Sequence, residues 1–208
     1  MINHVPVKND ERSGSTFSAV ILASGLSERM GQPKALLKWD DSMTFIRKIV
    51  GEYVKAGCEN VVCTVNRFIQ PRCLSPDTFP NVKFVMNEHP EWGRLYAVKS
   101  GLAVLKDTSF CFIQNVDNPH ITADIIRKML ENADPEAWCS PVYQGKSGHP
   151  VLLPGRITDQ ILQLTDPDTT LRDVLDLFPK KVVEMEDDAI LKNINTPEDY
   201  RNFRNASR

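Results

Sequence analysis

The chain has 208 residues, 41% of them hydrophobic, with 25 basic and 27 acidic side chains and a formal net charge of −2. That length suits one α/β domain with a proper buried core. The balanced charge leaves no basic stripe for nucleic acid, and no apolar run approaches membrane-span length. Neither nucleic acid nor membrane is expected as a partner, and the expected location is cytoplasmic. The five cysteines (Cys58, Cys63, Cys73, Cys111 and Cys139) are odd in number and contain no C-x-x-C pair, which argues against structural zinc and a disulfide framework.

In chain order, residues 1–16 are polar and are expected to form a poorly ordered extension ahead of a single domain over 17–208. The apolar run Phe17–Ala23 predicts a strand, and Ser24–Lys34 the loop that follows it. Phe45, Ile46, Ile49, Val50, Tyr53 and Val54 recur at helical spacing, with Gly57 placed as a helix stop. Asn60–Val65 and Val82–Met86 predict two more strands. The stretch 66–81 between them carries three prolines and predicts a surface excursion. A second helical stripe (Leu95, Val98, Leu102, Leu105) precedes the strand-like run Phe110–Val116, and a third (Ile125, Ile126, Met129, Leu130) starts from Thr122 as N-cap. Ala137–Val142 predicts a fifth strand. Strands apolar on both faces, alternating with helices, imply a mostly parallel sheet covered on both sides. Ligands then sit beyond the carboxyl ends of the strands, so the post-strand loops are the places to search.

The first such loop is the most informative. Leu22–Lys34 reads LASGLSERMGQPK. It has neither the G-x-G-x-x-G fingerprint nor the adjacent Gly-Lys-Ser/Thr of a Walker A loop. It does hold the parts a triphosphate needs. Gly25 and Gly31 let backbone N–H groups approach phosphate oxygens, Ser24 and Ser27 can donate, Arg29 offers a planar fork and Lys34 a mobile charge. A solvated turn with incidental charge is the alternative. Asp117, just after the fourth predicted strand, is placed to hold Mg²⁺ or to make an Asx-turn ahead of Pro119. Thr196, Pro197 and Asp199 have the spacing of a helix N-cap, N1 and capping box. His149, within Gly148-His149-Pro150, suits a general base or a hydrogen-bonding turn residue that fixes its loop, and the second role is favoured. His4, His89 and His120 share no ligand spacing and are expected to be solvated.

The loop sequence resembles the L-A-[AG]-G-x-S-x-R-M-G-x-x-K signature of the nucleotidyltransferases that handle molybdenum cofactor. Three later stretches are similar to that family in the same order: NVDNPHI (Asn115–Ile121), GKSGHPVLL (Gly145–Leu153) and NINTPEDY (Asn193–Tyr200). The resemblance implies an α/β fold with a Rossmann-like, mostly parallel sheet and helices on both faces, of the nucleotide-diphospho-sugar transferase type. It implies Mg²⁺-dependent transfer of a nucleoside monophosphate from an NTP, with CTP favoured, to a phosphorylated acceptor such as molybdopterin cofactor, releasing pyrophosphate. In that frame Leu22, Ala23, Ser24, Gly25, Ser27, Arg29, Gly31 and Lys34 bind nucleotide, and Arg29, Lys34 and Asp117 are catalytic. Asp117 and Asn195 hold the metal, while Gly148, His149, Asp168 and Arg172 face the acceptor. The chain departs from the pattern at Asn193 and Asn195, where carboxylates are common. It departs again in Glu91–Leu102, where only Gly93, Ser100, Gly101 and Leu102 match, and in Pro167–Arg172, which keeps Asp168 and Arg172 but no glycine. Transfer to a sugar phosphate or another phosphorylated alcohol, and a non-catalytic nucleotide- or cofactor-binding homologue, remain the alternatives.

Overall fold

A computed structural model describes residues 16–69, 82–105 and 108–206. Most of the predicted extension, nearly all of the 66–81 connection, His4 and Cys73 lie outside the described residues. Strands β1 (Phe17–Leu22), β2 (Asn60–Val65), β3 (Val82–Met86) and β4 (Phe110–Asn115) form a parallel half in the order β3-β2-β1-β4. Side chains alternate across it, as the period of a strand requires. Ala19, Ile21, Val61, Cys63 and Phe112 enter one core; Val20, Val62, Cys111 and Ile113 enter the other.

Helices α1 (Phe45–Lys55) and α3 (Ala123–Glu131) cover the first face. Thr122 caps α3 by accepting from the Ile125 N–H, and Gly57 follows α1 with φ 90, which its missing Cβ permits. Helix α2 (Gly93–Leu102) covers the second face with α4 (Gly155–Gln163) and the short α5 (Leu171–Leu175). It lies close on β1, because a Cβ at Gly101 would stand 2.5 Å from Val20 Cγ1. Leu105 falls beyond α2 but still packs on that core.

Beyond β4 the sheet changes direction. β7 (Val151–Pro154) pairs antiparallel with β4 and β5 (Trp138–Tyr143), and β6 (Lys146–Ser147) pairs antiparallel with β5. β8 (Lys180–Glu184) returns parallel beside β5. The chain then crosses to the side of the loop after β1, where α6 (Pro197–Ala206) packs Tyr200 and Phe203 against Phe45. The predicted capping box is present: Asp199 Oδ2 accepts from the Asn195 and Thr196 N–H groups, and Thr196 Oγ1 accepts from Asp199 N–H. Among the described residues no helix is long and apolar enough to cross a membrane. Cys58, Cys63, Cys111 and Cys139 are free and buried. Burial pushes the Cys58 thiol up to about 12 and raises Cys63 and Cys111 as well, which makes them inert.

Candidate active site

The loop after β1 is anchored from below by Met30, which is buried with Leu37, Phe45 and Ile194. Ser27 takes a left-handed conformation (φ 55), uncommon for a residue with a Cβ, and its carbonyl accepts from the Met30 and Gly31 N–H groups. Two buried amides hold the start of the loop. Asn66 Nδ2 donates to the Ser24 and Gly25 carbonyls at 3.0 and 3.2 Å, and Asn87 Nδ2 donates to Ser24 Oγ at 2.9 Å. Sequence reading missed both, although each directly follows a parallel strand at the ligand edge of the sheet.

Lys34 spans the loop's far end. Its ammonium donates to Asn195 Oδ1 at 2.7 Å and lies 3.3 Å from Asp117 Oδ2. Asp117 is itself held by its main chain, whose carbonyl accepts from Ile194 N–H at 2.7 Å. Its second oxygen, Oδ1, is buried with no hydrogen-bond partner among the described residues. A buried carboxylate oxygen without a partner is costly unless something fills its valence. An orphan carboxylate oxygen beside an amide carbonyl is a hard-donor pair that fits a divalent cation held mainly by water and substrate phosphates. Among the described residues no group of three or more His, Cys, Asp or Glu forms a larger cage. Asn193 is engaged elsewhere, accepting from Asn118 Nδ2 at 3.2 Å.

Two clefts open at this edge. The smaller, about 260 Å³, is walled by Leu22, Ala23, Ser24, Gly25, Ser27 and Lys34, with Asp117 opposite. Arg29 and Gly31, also expected to bind nucleotide, do not line it; Arg29 sits on the exposed turn Glu28–Met30. Gly25 has no left-handed φ, and a Cβ there would meet nothing within 4 Å. Neither backbone strain nor protein packing explains that glycine, and the space beside it belongs to the cleft. The larger cleft, about 820 Å³, brings together Gly148, His149, Asp168 and Arg172. Gly93, Arg94 and Asn115 line both, so the two clefts share a seam.

Gly148 is fixed by packing, since a Cβ would lie 2.3 Å from the Ile190 carbonyl oxygen. The backbone does the work expected of the His149 side chain: His149 N–H donates to Ile190 O at 3.2 Å, while the imidazole Nδ1 is buried without a partner among the described residues. Burial, followed by the charge of Arg94, lowers the His149 pKa to about 4 against the pull of Asp117, leaving the ring neutral near pH 7.

The other histidines correct an expectation. His120 is not solvated. It packs edge-on against Trp39 and Phe203, with ring centroids at 5.1 and 5.6 Å, and burial lowers its pKa to about 4. His89, half-buried, stacks flat on Trp92 at 3.9 Å. The partners of His120 are remote in sequence, whereas Trp92 stands three residues from His89.

Residues 19–185 match the MobA-like NTP transferase domain family. The molybdenum cofactor cytidylyltransferase of Escherichia coli K12 is 28% identical over 189 residues, spanning 89% of this chain and 94% of its own. A probable molybdenum cofactor guanylyltransferase of Bacillus mycoides is 27% identical over 195 residues, again 89% and 94%. Among solved structures, the manganese complex of Rv0371C from Mycobacterium tuberculosis H37Rv superposes with a TM-score of 0.72. That match is 18% identical and covers 91% of this chain and 98% of that one, so it speaks for the fold alone. The matched span runs from β1 to β8 and holds the lining of both clefts, with Asn195 beyond it: the chain belongs to the MobA-like NTP transferase domain family and is a nucleotidyltransferase.

Proposed function

We propose that the protein transfers a nucleoside monophosphate, CMP in preference to GMP, from an NTP to the phosphate of molybdenum cofactor. The observation that carries this reading is the meeting of Lys34, Asp117 and Asn195 beside the glycine-lined cleft, with a larger cleft across a shared seam. The smaller cleft takes the triphosphate. Lys34 moves onto its oxygens, and Arg29 reaches in from its exposed turn. The acceptor lies in the larger cleft against Gly148, His149, Asp168 and Arg172. An oxygen of the acceptor phosphate bonds to the α-phosphorus, the bond from that phosphorus to the α,β-bridging oxygen breaks, and its electron pair leaves with pyrophosphate. The nucleophile is already anionic, so positioning and charge neutralisation carry the step and no strong base is needed.

Asp117 and Asn195 would hold a divalent cation, Mg²⁺ in the expected case, and the partnerless carboxylate oxygen of Asp117 supports that reading. When bound, the metal neutralises charge on the phosphate oxygens. The lean to CTP rests on Ser24 and the Gly148-His149-Pro150 stretch, and relatives of both base types align with this chain. The test is pyrophosphate release with Mg²⁺, molybdenum cofactor and each of the four NTPs in turn. Release with CTP well above GTP is expected. Release without acceptor dependence, or with GTP clearly preferred, counts against the acceptor or the base respectively.

A further inference from the structure

We propose that Arg94 anchors the acceptor's phosphate at the seam between the two clefts and aims it at the nucleotide. This deepens the reading above and rests on it. Arg94 is the second residue of α2 and lines both clefts. It lies in the stretch that departs from the family pattern and is not among its matching residues.

Three cations wall the larger cleft, and two of them have a partner within the protein. The Arg172 side chain is exposed at the rim with Nε 3.8 Å from Asp176 Oδ2. Lys180 donates to Ser147 Oγ at 2.8 Å and stands over the Trp138 ring. In the smaller cleft, the Lys34 ammonium is taken by Asp117 and Asn195. Arg94 has neither an ion pair nor a hydrogen bond among the described residues, so its five donors are available to a ligand.

Chemistry favours a phosphate monoester as that ligand. A guanidinium fork engages two phosphate oxygens side by side. A monoester has three non-bridging oxygens, so the third stays free to attack. From the seam that oxygen faces the cleft walled by Lys34 and Asp117. Across the larger cleft stands His149, neutral and with its buried Nδ1 unpartnered, which adds no like charge to compete with Arg94 for the anion.

The experiment titrates inorganic phosphate into the protein already loaded with Mg²⁺ and a non-hydrolysable CTP analogue, which fills the triphosphate cleft, and follows binding by calorimetry. Wild type should bind phosphate, Arg94→Gln at least about tenfold more weakly and Arg94→Lys in between, while affinity for the analogue stays within about twofold. Equal phosphate binding by Arg94→Gln, or none by loaded wild type, overturns the assignment. A second arm measures pyrophosphate release with molybdenum cofactor, where Arg94→Gln should raise the acceptor KM far more than it lowers kcat. If wild type transfers and Arg94→Gln keeps its acceptor KM, the anchor falls and the transfer reading stands. If wild type transfers to no acceptor while Arg94→Gln still loses phosphate, the transfer reading falls and the anchor stands.

Discussion

The ammonium of Lys34 lies 2.7 Å from Asn195 Oδ1, joining residues 161 positions apart in the chain. The same ammonium is 3.3 Å from Asp117 Oδ2, so a cation of the protein stands between the two side chains proposed to hold a metal, while Asp117 Oδ1 has no partner among the described residues. On the proposed reading, metal and lysine compete for that place until a triphosphate draws Lys34 away.

Mn²⁺ or Mg²⁺ alone should therefore raise the melting temperature of the wild type by less than about 1 °C, whereas metal with CTP should raise it by linkage. Lys34→Met should bind Mn²⁺ without nucleotide, read by electron paramagnetic resonance, and lose about tenfold to a hundredfold in CTP affinity. A variant that takes up Mn²⁺ no better than wild type would show that Lys34 does not guard the site.

Charge at the same site can be varied from the other side. Asn195→Asp adds a carboxylate and should allow Mg²⁺ to stabilise the free protein. Asp117→Asn should abolish the metal-dependent part of the nucleotide-induced rise in melting temperature and lower kcat by at least about tenfold. Full metal-dependent stabilisation in Asp117→Asn would reduce Asp117 to a turn residue.

Two glycines separate folding from function. Gly148→Ala drives a methyl into the Ile190 backbone, which cannot swing aside, and should cost about 1–3 kcal/mol of stability. Gly25→Ala meets no protein atom. It should leave the denaturant midpoint unchanged while weakening CTP binding severalfold. Equal damage to stability in both variants would remove the cleft as the reason for Gly25.

Acid should loosen the fold through two rings. His120 and His149 have folded pKa values of about 4, below the ordinary 6.5, so the unfolded chain takes up their protons first. Their contribution is fully present above about pH 6.5 and is lost as pH falls towards about 4. The melting temperature should drop by several degrees between about pH 7.5 and about pH 5, and His120→Phe, which keeps the aromatic packing, should reduce that drop. An acid response identical in wild type, His120→Phe and His149→Gln would place its origin elsewhere.

The parallel half of the fold was legible because each strand is a short apolar run and each covering helix repeats every three to four residues. Of the half beyond β4, only β5 was, as the run Ala137–Val142. Val151–Pro154 was visible only as a motif, and Lys180–Glu184, with no alternation of its own, passed unnoticed, since pairing with β5 across 42 residues leaves no local mark. The loop after β1 was legible as the wall of a cleft by its place after the first strand and its glycines. Asn66, Asn87 and Arg94 were not, because a lone amide or arginine acquires meaning only when the sheet gathers the strand ends. The solvated reading of His120 failed for the same reason, its partners Trp39 and Phe203 being remote in sequence.

Helix α6 has a consequence for synthesis. The nucleotide loop is made within the first 34 residues, yet the oxygen that receives Lys34 arrives only with Asn195. That oxygen is steadied by the helix that follows, through Asp199 on the Asn195 N–H and Phe203 against Trp39. On the ribosome, β1 to β4 are therefore made well before the residue that receives Lys34. On the proposed reading, transfer chemistry waits until that helix emerges.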